Sequence, residues 1–319
     1  MTRENPMNPS IELSVIIPVT EERYDDVAYL FHEYKRGISE TGMAYEIIYV
    51  LDGAFPGIRE ALQGLREKGE KLMIIQLAKH FGATAALNVG FEHSKGDIIL
   101  TLPAYQQTEA DEIPRLVAAL KEYDMVFARR WPRADSFINR VQAGLFNWLL
   151  RHVSDLPIHD AGSNVRAFRR QVINEVHIYG DQHPFLPVLA HQRGFKVHEL
   201  KVAQAKTDVF RRVYSPGTYV RHLLDVLAIF FLVKFTKKPL RFFGLLGTAG
   251  FSVGFLITLY IVGERLFGGV ALANRPALLL SSLLMILGIQ VLAIGLIGEI
   301  IIFTHAKELK EYTIAQIIN

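Results

Sequence analysis

The chain contains no cysteine, so disulfides and thiolate metal sites are excluded. It also has little charge of one sign. Thirty-five Lys and Arg residues nearly balance 32 Asp and Glu, leaving +3, too small an excess to point to nucleic acid, and no basic-aromatic module occurs. The first ten residues, MTRENPMNPS, have no apolar stretch of the kind a signal segment needs, so the front of the chain is expected in the cytoplasm. There is no internal repeat and no long low-complexity tract. What the chain does have is apolar mass. Half of its 319 residues are hydrophobic and its mean hydropathy is +0.20, high for a purely soluble enzyme. The surplus sits near the C-terminus, in two long uncharged runs.

The front half alternates between strand and helix patterns. Apolar runs at 11–19, 45–50, 72–77, 98–102 and 124–128 read as strands, with helical spacing at 24–38 and 56–68 and a small-residue helix after Gly82. This alternation is the pattern of βαβ units and a parallel sheet. The run at 98–102 is bounded by Gly96-Asp97 and Pro103, and Asp111-Glu112-Ile113-Pro114 opens the next helix with acids in its first turn. Residues 103–107 therefore stand at the carboxyl end of a buried central strand, where open α/β sheets bind ligands.

The stretch GDIILTLPAYQQTEADEIP resembles one in the family-2 glycosyltransferases, in particular the polyprenyl-phosphate (dolichol- or undecaprenyl-phosphate) sugar transferases. The family's usual text after the strand is Asp-Ala-Asp-Leu-Gln, whose two aspartates hold a divalent metal on the sugar-nucleotide diphosphate. Ala104 and Gln107 match it; Pro103 and Tyr105 replace the aspartates. Hard cations take carboxylate or carbonyl oxygen, so neither replacement is an ordinary ligand. The resemblance thus implies an α/β fold of the GT-A nucleotide-binding type with a mostly parallel central sheet. It assigns no metal ligand; a Mg or Mn ion, if used, is held through the donor diphosphate.

Further matches follow in order. Pro18-Val19-Thr20-Glu21-Glu22 is similar to the family's loop that lines the nucleotide base, with Pro18 and Glu22 matching and Thr20 standing for Tyr. Asp52 falls on the second acid of Asp-Asp-Gly-Ser, which implies a contact to base or ribose; the residues alone also allow an ordinary Asp-Gly turn. Lys79-His80-Phe81-Gly82 resembles Arg-Asn-Phe-Gly. Arg130 falls on an arginine, and its fork suits a diphosphate, with Arg129 and Lys79 as further cations. Arg140 aligns with an arginine that faces the lipid phosphate, on an amphipathic helix expected at 139–153. The segment 159–166 resembles Asp-x-Gly-Ser-(Asp/Asn)-Phe-Arg and makes Asp160 the candidate catalytic carboxylate. In the later acceptor loop only Tyr214 is retained, but Lys206, Arg211 and Arg212 keep it basic enough for an anionic lipid head.

The C-terminal part reads as membrane. Residues 216–240 carry a long apolar face with charges and suit interfacial helices. Residues 242–263 and 276–298 are long and uncharged enough to span within a unit at 241–304, and 305–319 form a polar tail. Lys and Arg are denser before the first run than in the loop between the two, which places both termini inside, at a bacterial-type inner membrane. Glu299 sits at the inner edge of the second run. With the catalytic domain at 1–215, the expected protein is a membrane-bound inverting glycosyltransferase. Its partners are a UDP- or GDP-sugar and a polyprenyl phosphate or similar lipid, not nucleic acid; a homo-oligomer is compatible with the sequence. One alternative is an inactive relative that keeps the fold and binds nucleotide, lipid or a protein partner, as the replaced aspartates suggest. Another is transfer to a lipid hydroxyl, with Asp160 as a true base. A processive polysaccharide synthase fits less well, since the chain has only two apolar spans and no Gln-x-x-Arg-Trp.

Overall fold

The computed structural model describes residues 11–21, 26–132, 144, 156–180, 182–208, 239–268 and 276–305. The expected interfacial helices, the helix expected at 139–153, and Glu22, Arg140, Arg211 and Arg212 lie outside the described residues. The chain divides into two compact units, a sheet domain and a helical hairpin.

Among the described residues the sheet domain has seven strands: β1 (Leu13–Val19), β2 (Tyr45–Leu51), β3 (Met73–Gln76), β4 (Ile98–Thr101), β5 (Met125–Arg130), β6 (Arg166–Arg169) and β7 (Val197–Val202). Their spatial order is β3-β2-β1-β4-β6-β5-β7. Four neighbouring pairs are parallel, and β6 alone runs antiparallel, between β4 and β5. The expected mostly parallel α/β sheet is the sheet observed. Strand order reverses at β1: β2 and β3 are added on one side and β4 on the other, so the switch point lies between the carboxyl ends of β1 and β4.

Side chains alternate between two buried faces, which is why the central strands read as continuous apolar runs. Leu13, Val15, Ile17 and Val19 pack against Leu30, Phe31, Tyr34 and Ile38 of α1 (Val27–Ser39) and Leu62 and Leu65 of α2 (Pro56–Glu67). Ile16, Ile99, Met125 and Phe168 pack against Leu87 and Phe91 of α3 (Ala83–His93), Val172 of α5 (Arg170–Glu175) and Leu186 of α6 (Leu186–Gln192). Asp26 starts α1 by accepting from the amides of Ala28 and Tyr29 at 2.9 and 3.2 Å. Between β4 and β5, α4 (Ile113–Ala118) follows a 3₁₀ turn at Ala110–Glu112.

The hairpin consists of α7 (Pro239–Gly268) and α8 (Pro276–His305), both long and apolar enough to cross a membrane, with mean hydropathy 2.0 and 2.5. Glycines let the two backbones touch: a Cβ on Gly247 would lie 2.6 Å from the Gly288 carbonyl oxygen, and one on Gly254 2.6 Å from that of Ser281. Thr258 and Ser281 join across the seam at 2.9 Å, while Leu and Ile side chains face outward. Glu299 accepts from the Leu240 amide at 3.4 Å, so an acidic side chain meets the N-terminal turn of α7.

Contact is equally close where α1 meets the turn before α4. A Cβ on Gly37 would stand 2.2 Å from the Ala110 carbonyl oxygen, whereas one on Gly64, in α2, meets nothing within 4 Å. Gly37→Ala is therefore expected to cost about 1–3 kcal/mol through overpacking. Thermal unfolding in detergent should show a melting temperature lower by roughly 2–12 °C. Gly64→Ala should leave it unchanged or slightly higher.

Candidate functional site at the carboxyl edge of the sheet

The segment leaving β4 is held from three sides. Tyr34 of α1, 2 % exposed, donates its hydroxyl toward the carbonyls of Pro103 and Tyr105 at 2.9 and 2.8 Å. Gln107 is buried and works as a hub. Its Oε1 accepts from the Asn164 amide at 2.8 Å, its Nε2 donates to the Tyr105 hydroxyl at 3.2 Å, and its carbonyl accepts from the Ala205 amide at 3.2 Å. Gln106 accepts from the Thr207 hydroxyl at 3.3 Å, and Thr108 pairs with Gln204. Ala104 is half-buried beside them. Three stretches far apart in sequence, at 103–108, 160–164 and 203–208, thus meet at the end of one strand.

Arg130 ends β5 in the same place. Its Nε and one terminal nitrogen reach the two oxygens of Asp160 at 2.8 and 2.9 Å, and the other terminal nitrogen reaches Asp208 at 3.2 Å. The Arg130 amide adds a bond to Asp160 at 3.2 Å, and Gln204 donates to Asp208 at 2.9 Å. All three charged side chains are buried. Burial works against the guanidinium charge, but Asp160 and Asp208 outweigh it and raise the Arg130 pKa above the ordinary arginine value. Glu199 of β7 seats the turn before Asp160, accepting from the amides of His159 and Asp160 at 2.7 and 2.8 Å and from His159 Nδ1 at 2.7 Å. Lys206 is exposed on the neighbouring stretch.

At the end of β2, Asp52 is 1 % exposed. Its oxygens accept from the amides of Phe81 and Gly82 at 2.7 and 2.8 Å and from His80 Nδ1 at 2.7 Å. The carboxylate thereby fastens the loop that leads into α3. Lys79 lies over the Phe81 ring, 5.2 Å from its centroid, and His80 is 66 % exposed. Pro18 and Thr20, half-buried, stand at the end of β1 beside Asp52, whose amide donates to the Val19 carbonyl at 2.9 Å.

Of the residues expected from sequence, the structure brings Tyr105, Gln107, Arg130 and Asp160 into one network and puts Pro18, Thr20 and Asp52 at the adjoining strand ends. Sequence reading missed Tyr34, Glu199 and Asp208. Tyr34 belongs to a helical apolar stripe and looks like core. Asp208 is two residues from Lys206 in a segment read for its cations.

Behind this edge, Arg166 of β6 is buried and donates to the carbonyls of Ser163 and His183, at 2.9 Å to Ser163. Desolvation lowers its pKa to about 10. His183, which shares hydrogen bonds with Thr84 at 3.3 Å, is pushed down to about 3 by burial and by the Arg166 charge.

The described residues at this edge do not fit a protein-held divalent ion. Pro103 carries no ligating side chain, and the Tyr105 hydroxyl accepts from Gln107. Asp160 and Asp208 are engaged by Arg130. Among the described residues no group of three or more His, Cys, Asp or Glu side chains is arranged to hold a metal.

The mixed seven-stranded α/β sheet, with its switch point between β1 and β4, is of the GT-A class. The chain belongs to glycosyl transferase family 2, whose sequence profile matches residues 14–176. It is 33% identical over 292 residues to the undecaprenyl-phosphate 4-deoxy-4-formamido-L-arabinose transferase of Pseudomonas aeruginosa (strain LESB58), covering 90% of this chain and 84% of that one. With the dodecaprenyl-phosphate galacturonate synthase of Rhizobium johnstonii it shares 26% identity over 305 residues, covering 94% and 90%. Among solved structures, glucosyl-3-phosphoglycerate synthase from Mycobacterium tuberculosis, in complex with Mn2+, UDP and phosphoglyceric acid, superposes with a TM-score of 0.52 at 13% identity. That match covers 69% of this chain and 78% of that one, and it shows the shared fold.

Two outcomes follow from the buried groups. Asp52→Ala leaves the Phe81 and Gly82 amides without their acceptor; hydrogen exchange of the peptide spanning 78–86 should quicken about tenfold or more. His183 stays neutral in the folded chain down to about 3 but takes a proton at its ordinary, higher pKa once unfolded. Its contribution to stability is therefore lost as pH falls from about 6.5 toward 3. His183→Gln should flatten that acid-side loss, read as a smaller difference in unfolding midpoint between about pH 7.5 and about pH 5.

Proposed function

We propose that this chain is a membrane-bound glycosyltransferase that moves a sugar from a UDP- or GDP-sugar to a polyprenyl phosphate, with inversion at the anomeric carbon. The observation that carries the reading is the similarity, over 90% of the chain, to a transferase named for undecaprenyl phosphate. The hairpin with two helices long enough to span supports it. In this reading the donor lies across Pro18, Thr20, Glu22, Asp52, Ala104, Tyr105 and Gln107, with Lys79 and Arg129 adding positive charge from neighbouring strand ends. Arg140, Lys206, Arg211 and Arg212 receive the lipid phosphate on the cytoplasmic face.

A phosphate oxygen of the lipid attacks the anomeric carbon. The bond from that carbon to the diphosphate oxygen breaks, and the nucleoside diphosphate leaves with the electron pair. The lipid phosphate is already ionised at neutral pH, so no base has to remove a proton from it. Asp160, clasped by Arg130, then serves to hold the acceptor side of the cleft in shape rather than to take a proton. Placing the cleft beside a bilayer lets a water-soluble donor meet a membrane-held acceptor in a fixed orientation.

The replaced aspartates favour one rival, a relative that binds nucleotide or lipid and transfers nothing. Purified full-length protein in detergent, given radiolabelled UDP- and GDP-sugars with undecaprenyl phosphate, decides between them. The expected result is a labelled, organic-extractable sugar lipid from at least one donor, with free nucleoside diphosphate released in equal amount. Nucleotide binding without label transfer from any donor would establish the inert relative instead.

A further inference from the structure

The end of β4 is where the family resemblance puts two acids, and here it carries Pro103 and Tyr105. The Tyr105 hydroxyl meets Gln107, Gln107 reaches back to the 160–164 turn through the Asn164 amide, and a Cβ on Gly162 in that turn would lie 3.5 Å from Arg130. The vacated acidic position and the buried arginine thus belong to one contiguous cluster. Within it, Asp160 and Asp208 are the carboxylates, 1 and 5 % exposed, and both are bound to the same guanidinium.

Two buried carboxylates held close repel, and both stay ionised only with a cation between them. A divalent ion is one solution. An arginine is another, and it differs in being covalently part of the chain, always charged, and shaped to grip one carboxylate with two parallel bonds while touching a second. We propose that Arg130 is the resident cation of this edge, a positioning residue that draws the 160–164 and 203–208 stretches together, and that the protein binds a nucleoside diphosphate without any protein-held divalent ion. A metal would have to displace a bidentate arginine from a site closed to water, and Pro103 and Tyr105 present no carboxylate to draw it in. Arg130 organises the cleft, and the charge that meets a diphosphate comes from the exposed Lys79 at the adjoining strand end. The inference takes its ligand from the nucleotide-sugar reading above.

Two measurements on the full chain in detergent test it. In the first, Mn2+ is added and the electron paramagnetic resonance signal of the free ion is followed. The wild type should leave the signal as a detergent-only sample does, while the Pro103→Asp, Tyr105→Asp double variant, which keeps Arg130, should weaken it. Weakening by the wild type overturns the proposal. In the second, calorimetry follows UDP and GDP binding in chelator and in magnesium. Affinity should agree within about twofold, and a loss of about tenfold or more in chelator also overturns it. If neither nucleotide binds in either buffer and Mn2+ is not taken up, the nucleotide-sugar reading falls while Arg130 stands as the resident cation.

Discussion

The clasp of Arg130 on Asp160 and Asp208 is the constraint on which the candidate site depends. Each partner comes from a different part of the chain: the end of β5, the turn before β6, and the stretch after β7. Among the described residues no backbone ladder joins the turn before β6 to the stretch after β7; the buried charge cluster and Gln107 link them. Breaking such a cluster by removing one member leaves an uncompensated charge in a dry place, a cost of about 3–5 kcal/mol. The geometry of the edge is therefore tied to the integrity of the cluster.

Around that clasp, further contacts fix the backbone at the strand ends. Tyr34 fixes the path of the chain after β4 by bonding backbone carbonyls, which requires no particular side chain at 103 or 105. This is a physical reason why the strand end keeps its shape although both acidic positions of the family pattern are filled by other residues. Gln107, which does match the pattern, bonds through its side chain to Asn164 and Tyr105 and cannot be exchanged so freely. Asp52 matches too, and within the protein its carboxylate organises the loop into α3.

The hairpin follows a different logic. In the sheet domain, burial of Leu, Ile and Phe holds the layers together, at about 25 cal/mol for each Å² of apolar surface removed from water. In α7 and α8 many apolar side chains face outward, and Gly247, Gly254 and Gly288 let the two backbones approach closely. That inversion suits an apolar surrounding, where close backbone packing replaces the hydrophobic effect.

Much of the architecture was legible from residue order. Apolar runs of 5–9 residues separated by helical spacing announced the parallel strands, because strands buried on both faces need no polar alternation. Length and lack of charge announced the two long helices. Matches at Asp52, Gln107, Arg130 and Asp160 marked residues that later proved to stand at the sheet edge. Other features could not be read. The antiparallel insertion of β6 depends on long-range pairing, and its four residues, Arg166–Arg169, have two arginines that disguise a strand. The partnership of Arg130 with Asp208 spans 78 positions, and a charge in a sequence does not say which opposite charge it will meet. Residue order determined which groups this chain owns and on which elements they ride, because periodicity and turn chemistry act locally. Only the tertiary structure decided which of them touch, because burial couples charges by distance in space and not along the chain.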